Sequence, residues 1–295
     1  MCILMAKAPN PMTRPHYDGK ASTWRDVYIS RDPYARRIQR RRDAIVAAFQ
    51  KQLKGRRAMI LDAGCGTGEI AGRLSALGHL VVGLDLSTEM LLEAQQLVRE
   101  GKPLPLLVRG SLLNLPFRSG QFDATVSAGV MEHIMPRRVG ERFVDPEVLA
   151  IRELARILKP NGFMVITGSN LFRVHWLLDP RQLLRALRHR RQGRYRMEDG
   201  PKLPVNHPAD ALSATDVSWS RRRTAREMRR FLDSQNLGIL DWTGIGFGPF
   251  TFFGLHVVSF ERSVKISEKL ERMIQRPAWR FLILLAATWV LTLAP

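Results

Sequence analysis

The chain has 295 residues, 45% of them apolar, and 46 Lys plus Arg against 27 Asp plus Glu, giving a net charge of +19. That length and apolar share support a sizeable packed core, and its two cysteines, Cys2 and Cys65, exclude a disulfide framework and suit a reducing compartment. The opening stretch MCILMAKAPNPMTRP has too short an apolar run and too many prolines for a secretory signal, so a cytoplasmic protein is expected.

In chain order, residues 24–53 read as a helical segment, with AIVAAF and Leu53 as its apolar face and a basic run outside. The pattern then alternates. Residues 58–61 form a first short strand and residues 70–77 a crossover helix, followed by a strand over LVVGLD (80–85). Ser87 N-caps a helix over 88–99. Strands follow at PLLV (105–108) and FDATVS (122–127), then an amphipathic helix at 146–160 ended by Pro160, then a strand at GFMVIT (162–167). Strands alternating with helices predict right-handed crossovers and a parallel sheet covered on both faces. Residues 169–223 break the rhythm and read as an insertion over the sheet. Residues 228–245 resume it as helix then strand. The expected division is a helical segment 1–55, a core 56–168, a substrate-side cap 169–223 and a C-terminal part of the core 224–295.

Between the first strand and its helix stands LDAGCGTGEIAGRL (61–74). Strand, glycine turn, helix presents free N–H groups and a positive dipole end to a polar ligand. Asp85 closes the second strand, where a carboxylate accepts from two ribose hydroxyls. The pair indicates a nucleoside cofactor. A dinucleotide oxidoreductase combines the same features, but with the spacing G-x-G-x-x-G. Here an acid leads alternate glycines: Asp62, Gly64, Gly66, Gly68.

These residues resemble the first motif of the class I S-adenosylmethionine-dependent methyltransferases. GSLLNLPFRSGQFDATVSAGVMEHI (110–134) and ELARILKPNGFMVITGSN (153–170) resemble later segments of that family, so the likeness covers about residues 56–170. The resemblance implies an α/β, Rossmann-like, seven-stranded and mostly parallel sheet with helices on both faces and a last antiparallel strand. It implies S-adenosyl-L-methionine as cofactor. The residues expected at it are Asp62, Gly64, Cys65, Gly66, Gly68, Asp85, Leu86, Met90, Ser111, Leu112 and Ser127. Asp62 orients the turn and the amino end, and Asp85 takes the ribose. Ser111 departs from the family's usual aspartate at the adenine, and backbone at Leu112 is the substitute. Cys65 reads as a space-filler in the turn rather than a nucleophile.

Methyl transfer from a sulfonium asks mainly for alignment, with proton removal where the nucleophile is a hydroxyl. Glu132 and His133 follow the fourth strand at the substrate mouth. His133 has two readings, general base or loop packing, and Glu132 shares its position. His175, His207, Trp176 and Trp219 in the insertion are further candidates for the acceptor pocket. No His/Cys set has zinc spacing, and no metal is expected. The Asn-Pro-Pro-Tyr type of signature used on nucleic-acid amino groups is absent after the fourth strand, which carries SAGVMEHIMP.

That block instead resembles the branch of the family acting on small molecules, which implies a small, apolar or lipid-linked acceptor, with O-methylation favoured. Nucleic acid is not expected as a partner, although arginine clusters at 36–42, 181–196 and 221–230 keep an RNA or protein methyltransferase as the alternative reading. A non-catalytic cofactor-binding protein is a third. At the carboxyl end, ATWVLTLA (287–294) reads as a strand inserted antiparallel beside 162–167. The competing reading makes 281–295 a membrane-surface helix whose arginines meet anionic lipid, with the protein peripheral at the inner membrane face.

Overall fold

The computed structural model describes residues 4–5, 21–30, 33–99, 106–134, 137–139, 142–172, 184, 222–248, 250–252, 255–256 and 258–295. Helices α1 (Ala21–Val27) and α2 (Pro33–Leu53) come first, so the predicted segment 24–53 is two helices. Strand β1 (Leu4–Met5), not anticipated, precedes them. The alternating part runs β2 (Met59–Ala63), α3 (Glu69–Ala76), β3 (Leu80–Asp85), α4 (Thr88–Arg99), β4 (Leu106–Arg109) and β5 (Phe122–Ser127). A 3-10 turn, Met131–His133, and a two-strand ribbon, β6 (Arg137–Val139) with β7 (Arg142–Val144), lead to α5 (Pro146–Ile157) and β8 (Leu158–Asn170). The chain then continues through β9 (Arg222–Arg223), α6 (Ala225–Ser234), β10 (Gly238–Ile245), β11 (Thr251–Phe252) and β12 (Leu255–His256). It ends with α7 (Phe260–Met273), a 3-10 turn Pro277–Leu285 and β13 (Thr288–Ala294).

The sheet order is β1-β4-β3-β2-β5-β8-β13-β10, with β9 beside β8. Seven strands make the expected sheet, and two-residue β1 and β9 extend it. Strands β4, β3, β2, β5 and β8 run parallel, and β13 lies antiparallel between β8 and β10. The carboxyl-terminal stretch is thus a buried strand over 288–294, and the alternative of a membrane-surface helix over that stretch is corrected. The reason is visible in its residues: Trp289, Val290, Leu291 and Leu293 are almost wholly buried, alternating between the two faces of the sheet.

The same parity organises the whole core. Ile60, Val81, Ala124, Phe163 and Val165 face one side, against Ile45, Phe49 and Leu53 of α2 and Ile70, Ala71 and Leu74 of α3. Leu61, Val82, Met164 and Ile166 face the other, against Ala150, Ile151 and Leu154 of α5 and Met228 and Leu232 of α6. Buried strands that alternate in this way must be covered on both faces, which the crossovers accomplish.

Helix starts follow local chemistry. Asp145 accepts from the Glu147 N–H at the start of α5, with Pro146 in the first turn. Helix α6 begins three residues earlier than the sequence pattern suggested. Thr224 Oγ1 accepts from Glu227 N–H and the Glu227 carboxylate accepts from Thr224 N–H, a reciprocal capping box. The ends of the long insertion meet: Leu171 N–H donates to Arg223 C=O at 2.8 Å, and β8 pairs β9. Residues 173–183 and 185–221, including His175, Trp176, His207 and Trp219, lie outside the described residues.

Candidate functional site

The turns after β2, β3 and β4 are tied to one another at the carboxyl edge of the sheet. Gly64 and Cys65 N–H both donate to Leu84 C=O, at 2.7 and 3.0 Å, which holds the glycine turn against the end of β3. Asp85 Oδ2 accepts from Gly66 N–H at 2.8 Å and Oδ1 from Ser87 N–H at 2.9 Å. Gly110 N–H donates to Asp85 C=O at 3.0 Å. Ser87 Oγ accepts from Met90 N–H, the predicted cap of α4.

Gly64 has φ +83°, and a Cβ there would come within 2.3 Å of Val130 Cγ2. Only glycine meets both demands, a left-handed backbone and the close approach of the turn after β5. Gly68, also left-handed, precedes the first residue of α3.

Asp62, at the end of β2, is buried and accepts from Ala71 N–H at 3.1 Å. Burial drives its carboxyl up to about 7, the backbone hydrogen bond opposes this, and the nearby Asp85 charge adds to it. The Cys65 thiol is pushed well above its usual value, first by burial and then by Asp85 and Asp62. It packs with Leu91, Ala94 and Leu107 over Gly83. A thiol so held is a poor source of thiolate, which agrees with the space-filling role read from the sequence.

These elements enclose a cavity of about 160 Å³. Of the residues expected at the cofactor, Asp62, Gly64, Cys65, Gly66, Asp85, Leu86, Met90, Ser111 and Leu112 line it, as does His133. Ser111 Oγ accepts from Leu113 N–H at 3.2 Å, folding the loop after β4 over the opening. Gly68, Ser127 and Glu132 are not in its wall. Ser127 is buried at the end of β5. Glu132 points from the Met131–His133 turn into a second, water-sized cavity of about 10 Å³, beside Glu147, Thr167, Arg223 and Phe231. Arg223 is ion-paired with Glu147 and lies over the Phe231 ring, 4.2 Å from its centroid.

Most of the other lining residues neighbour the expected ones in sequence, but three come from a distant segment that sequence reasoning did not connect with the site: Trp24 and Tyr28, in and just after α1, and Arg41 of α2. The Arg41 guanidinium sits on Gly129, where a Cβ would approach Nη1 within 2.8 Å. The Tyr28 phenol is raised by burial, with Arg41 opposing. Tyr28 also lies under Arg42, 5.6 Å from ring centroid to guanidinium carbon. No spacing in the chain connects residues 24–41 with the glycine turn, so only packing reveals them. Among the described residues no group of three His, Cys, Asp or Glu side chains has the arrangement to hold a metal ion.

This geometry joins a wider pattern. The sequence profile described as a methyltransferase domain matches residues 61–166. Residues 61–166 are a methyltransferase domain, and the chain has the fold of the class I S-adenosylmethionine-dependent methyltransferases. The cofactor of this methyltransferase is S-adenosylmethionine, and the cleft fits it: a glycine floor too close for a Cβ, a carboxylate at the end of β3, and an apolar flank of Leu86, Met90 and Leu112.

The methyltransferase is 28% identical over 197 residues to an uncharacterized protein of Methanocaldococcus jannaschii, covering 64% of this chain and 67% of that one. It is 35% identical over 120 residues to a malonyl-[acyl-carrier protein] O-methyltransferase of Erwinia pyrifoliae, 40% of each chain. A tRNA (carboxymethyluridine(34)-5-O)-methyltransferase of Arabidopsis thaliana matches at 33% over 41% of this chain and 26% of its own. The chain thus spans less than half the length of the two relatives whose names state an acceptor. The fold is that of the magnesium protoporphyrin IX methyltransferase of Synechocystis, with TM-score 0.57, 16% identity, and coverage of 95% of this chain and 97% of that one.

Proposed function

We propose that this methyltransferase acts on a small acceptor, apolar or lipid-linked, with oxygen as the favoured nucleophile. The observation that carries the reading is the cavity wall beyond the glycine turn. Trp24, Leu113, Val130 and Ile134 make it apolar, and Tyr28, Arg41 and His133 stand among them. A pocket of this composition favours an apolar body with one polar reacting end.

Bound S-adenosylmethionine supplies a methyl group on a positively charged sulfur. The Asp85 carboxylate, held by Gly66 and Ser87 N–H, would accept from the ribose hydroxyls. Leu86, Met90 and Leu112 would flank the base, with Ser111 and the Leu112 backbone available to its edge. Gly64 and Gly66 admit the methionine part to the backbone, and Asp62 stiffens the turn from below. Arg41, in the cavity wall, would receive the carboxylate end. His133, at the rim, accepts the proton that an acceptor hydroxyl loses as its oxygen bonds to carbon. Gly68 shapes the start of α3, and Glu132 and Ser127 stand outside the cavity wall.

The deciding experiment supplies labelled cofactor to extracts and separates the products. Label in small organic-soluble molecules is expected. Label confined to RNA or to polypeptide would replace this acceptor class with the alternative that the basic surface and the tRNA-acting relative favour. Tight cofactor binding with no transfer to any fraction would leave a binding protein without catalysis.

A further inference from the structure

We propose that the Pro277–Leu285 turn, with the arginines around it, docks the protein peripherally on an anionic lipid bilayer. The inference goes beyond methyl transfer and does not depend on it.

The turn gathers three exposed large apolar side chains within a few consecutive residues. Trp279, Phe281 and Leu284 are 41, 59 and 51% exposed, and Pro277 and Ala278 are also at the surface. Phe281 and Leu284, three apart, stack on one side of a 3-10 turn. Trp279 lies against Phe281, ring centroids 6.1 Å apart. The rest of the turn is anchored. Ile283 is buried, its C=O accepts from Trp289 Nε1–H at 2.9 Å, and Asn170 Nδ2 donates to Leu284 and Ala286 C=O at 2.8 and 2.7 Å. A rigidly held turn that still presents three large apolar side chains to water needs something to cover them.

The charges around it say what. Residues 258–285 carry six basic and three acidic side chains. One of those acids, Glu271, is turned inward onto Arg40 and Gly246 N–H. Arg272 and Arg276 are exposed, and Arg280 is half exposed while reaching Asp241 and the Trp242 C=O. Arg229 of α6 lies over the same Trp242, 5.1 Å from its ring centroid, with Arg226 and Arg230 exposed beside it. An aromatic and aliphatic knob inside a collar of arginines matches the headgroup boundary of an anionic membrane. A second copy fits poorly, because an isologous contact would bring like charges face to face.

The place is also informative. Asn170 ends β8 on the carboxyl edge of the sheet, the edge on which the cofactor cavity opens. No helix among the described residues is long and apolar enough to cross a membrane. The contact is therefore superficial and sets the cavity's edge of the sheet beside the bilayer.

Co-sedimentation of the full chain with vesicles tests this. Pelleting is expected with phosphatidylcholine containing about 30% phosphatidylglycerol and not with phosphatidylcholine alone, and each lost arginine should weaken it about fivefold. Arg272→Glu with Arg276→Glu, and separately Phe281→Ser with Leu284→Ser, should release the protein into the supernatant. Cofactor affinity by calorimetry should stay unchanged in both variants, which separates release from unfolding. Two results overturn the proposal. One is a native protein that stays in the supernatant, or pellets equally as either double variant. The other is a native dimer by light scattering that Phe281→Ser with Leu284→Ser converts to monomer.

Discussion

The two ends of the sheet are built on different terms. At the β4-β3-β2 end, backbone does the work. Glycine conformation, N–H groups and two carboxylates, Asp62 and Asp85, define the cleft within 50 consecutive residues from Asp62 to Ser111. At the β8-β13-β10 end, side chains from distant segments do it. Trp289 packs on Trp242 with centroids 5.2 Å apart, Asn170 fixes the Pro277–Leu285 turn, and Arg223 reaches Glu147. The first end is specified locally. The second is specified by complementarity and leaves room for variation in what it presents. The cavity also takes Trp24, Tyr28 and Arg41 from the helical segment that precedes the sheet.

The largest effect that would sharpen this contrast is on chemistry alone. His133→Ala is expected to lower kcat about a thousandfold, the usual scale for a lost general base, while leaving the calorimetric cofactor affinity unchanged. An unaltered rate would return His133 to a packing role.

Asp62 offers a pH test of the locally specified end. Its carboxyl lies near 7 in the fold against 3.8 when free, so the folded state holds the proton more tightly than the unfolded state. Stability from this group is fully present below pH ~4 and is lost as pH rises through 7, by at most about 4 kcal/mol. The urea midpoint of the cofactor-free protein should fall across that window. Asp62→Asn should flatten the fall, and an equal slope in both proteins would contradict the assignment.

Next, Asp85→Ala should weaken cofactor binding about a hundredfold by calorimetry, since charge-assisted hydrogen bonds are lost to both ligand and turn. Asp85→Asn, which keeps an acceptor for Gly66 or Ser87, should lose less. Gly64→Ala should cost about 2 kcal/mol in thermal unfolding, through its left-handed backbone and the Val130 contact. The smallest effect tests the complementary end. Thr224→Ala removes the α6 capping box and should cost about 1 kcal/mol, with cofactor affinity unchanged. A comparable loss of cofactor affinity would mean that the two ends are coupled.

Much of this was legible beforehand. Alternating apolar runs located β2 to β5, the glycine turn announced the nucleoside site, and ATWVLTLA was readable as an inserted strand. The Thr-x-x-Glu capping box of α6 is legible in the sequence, and it starts the helix at Ala225, ahead of the apolar pattern that begins at 228. The apolar carboxyl end is compatible in sequence with either a strand or a lipid-facing segment. The fold gives 288–294 to the sheet and leaves the preceding turn exposed, so the apolar run divides between two environments.

By itself the sequence determined what depends on neighbours along the chain: strand parity, helix caps, and the glycine and acid pattern that admits a nucleoside to backbone. Those are local because φ/ψ limits and hydrogen-bond spacing act over a few residues. Only the tertiary structure decided that Trp24, Tyr28 and Arg41 line the cavity, that Glu132 turns away to Arg223 and Glu147, and that Phe281 and Leu284 stay in water. Contacts between segments tens to hundreds of residues apart are set by how whole faces pack, and a periodicity of two or 3.6 residues carries no record of which face will meet which.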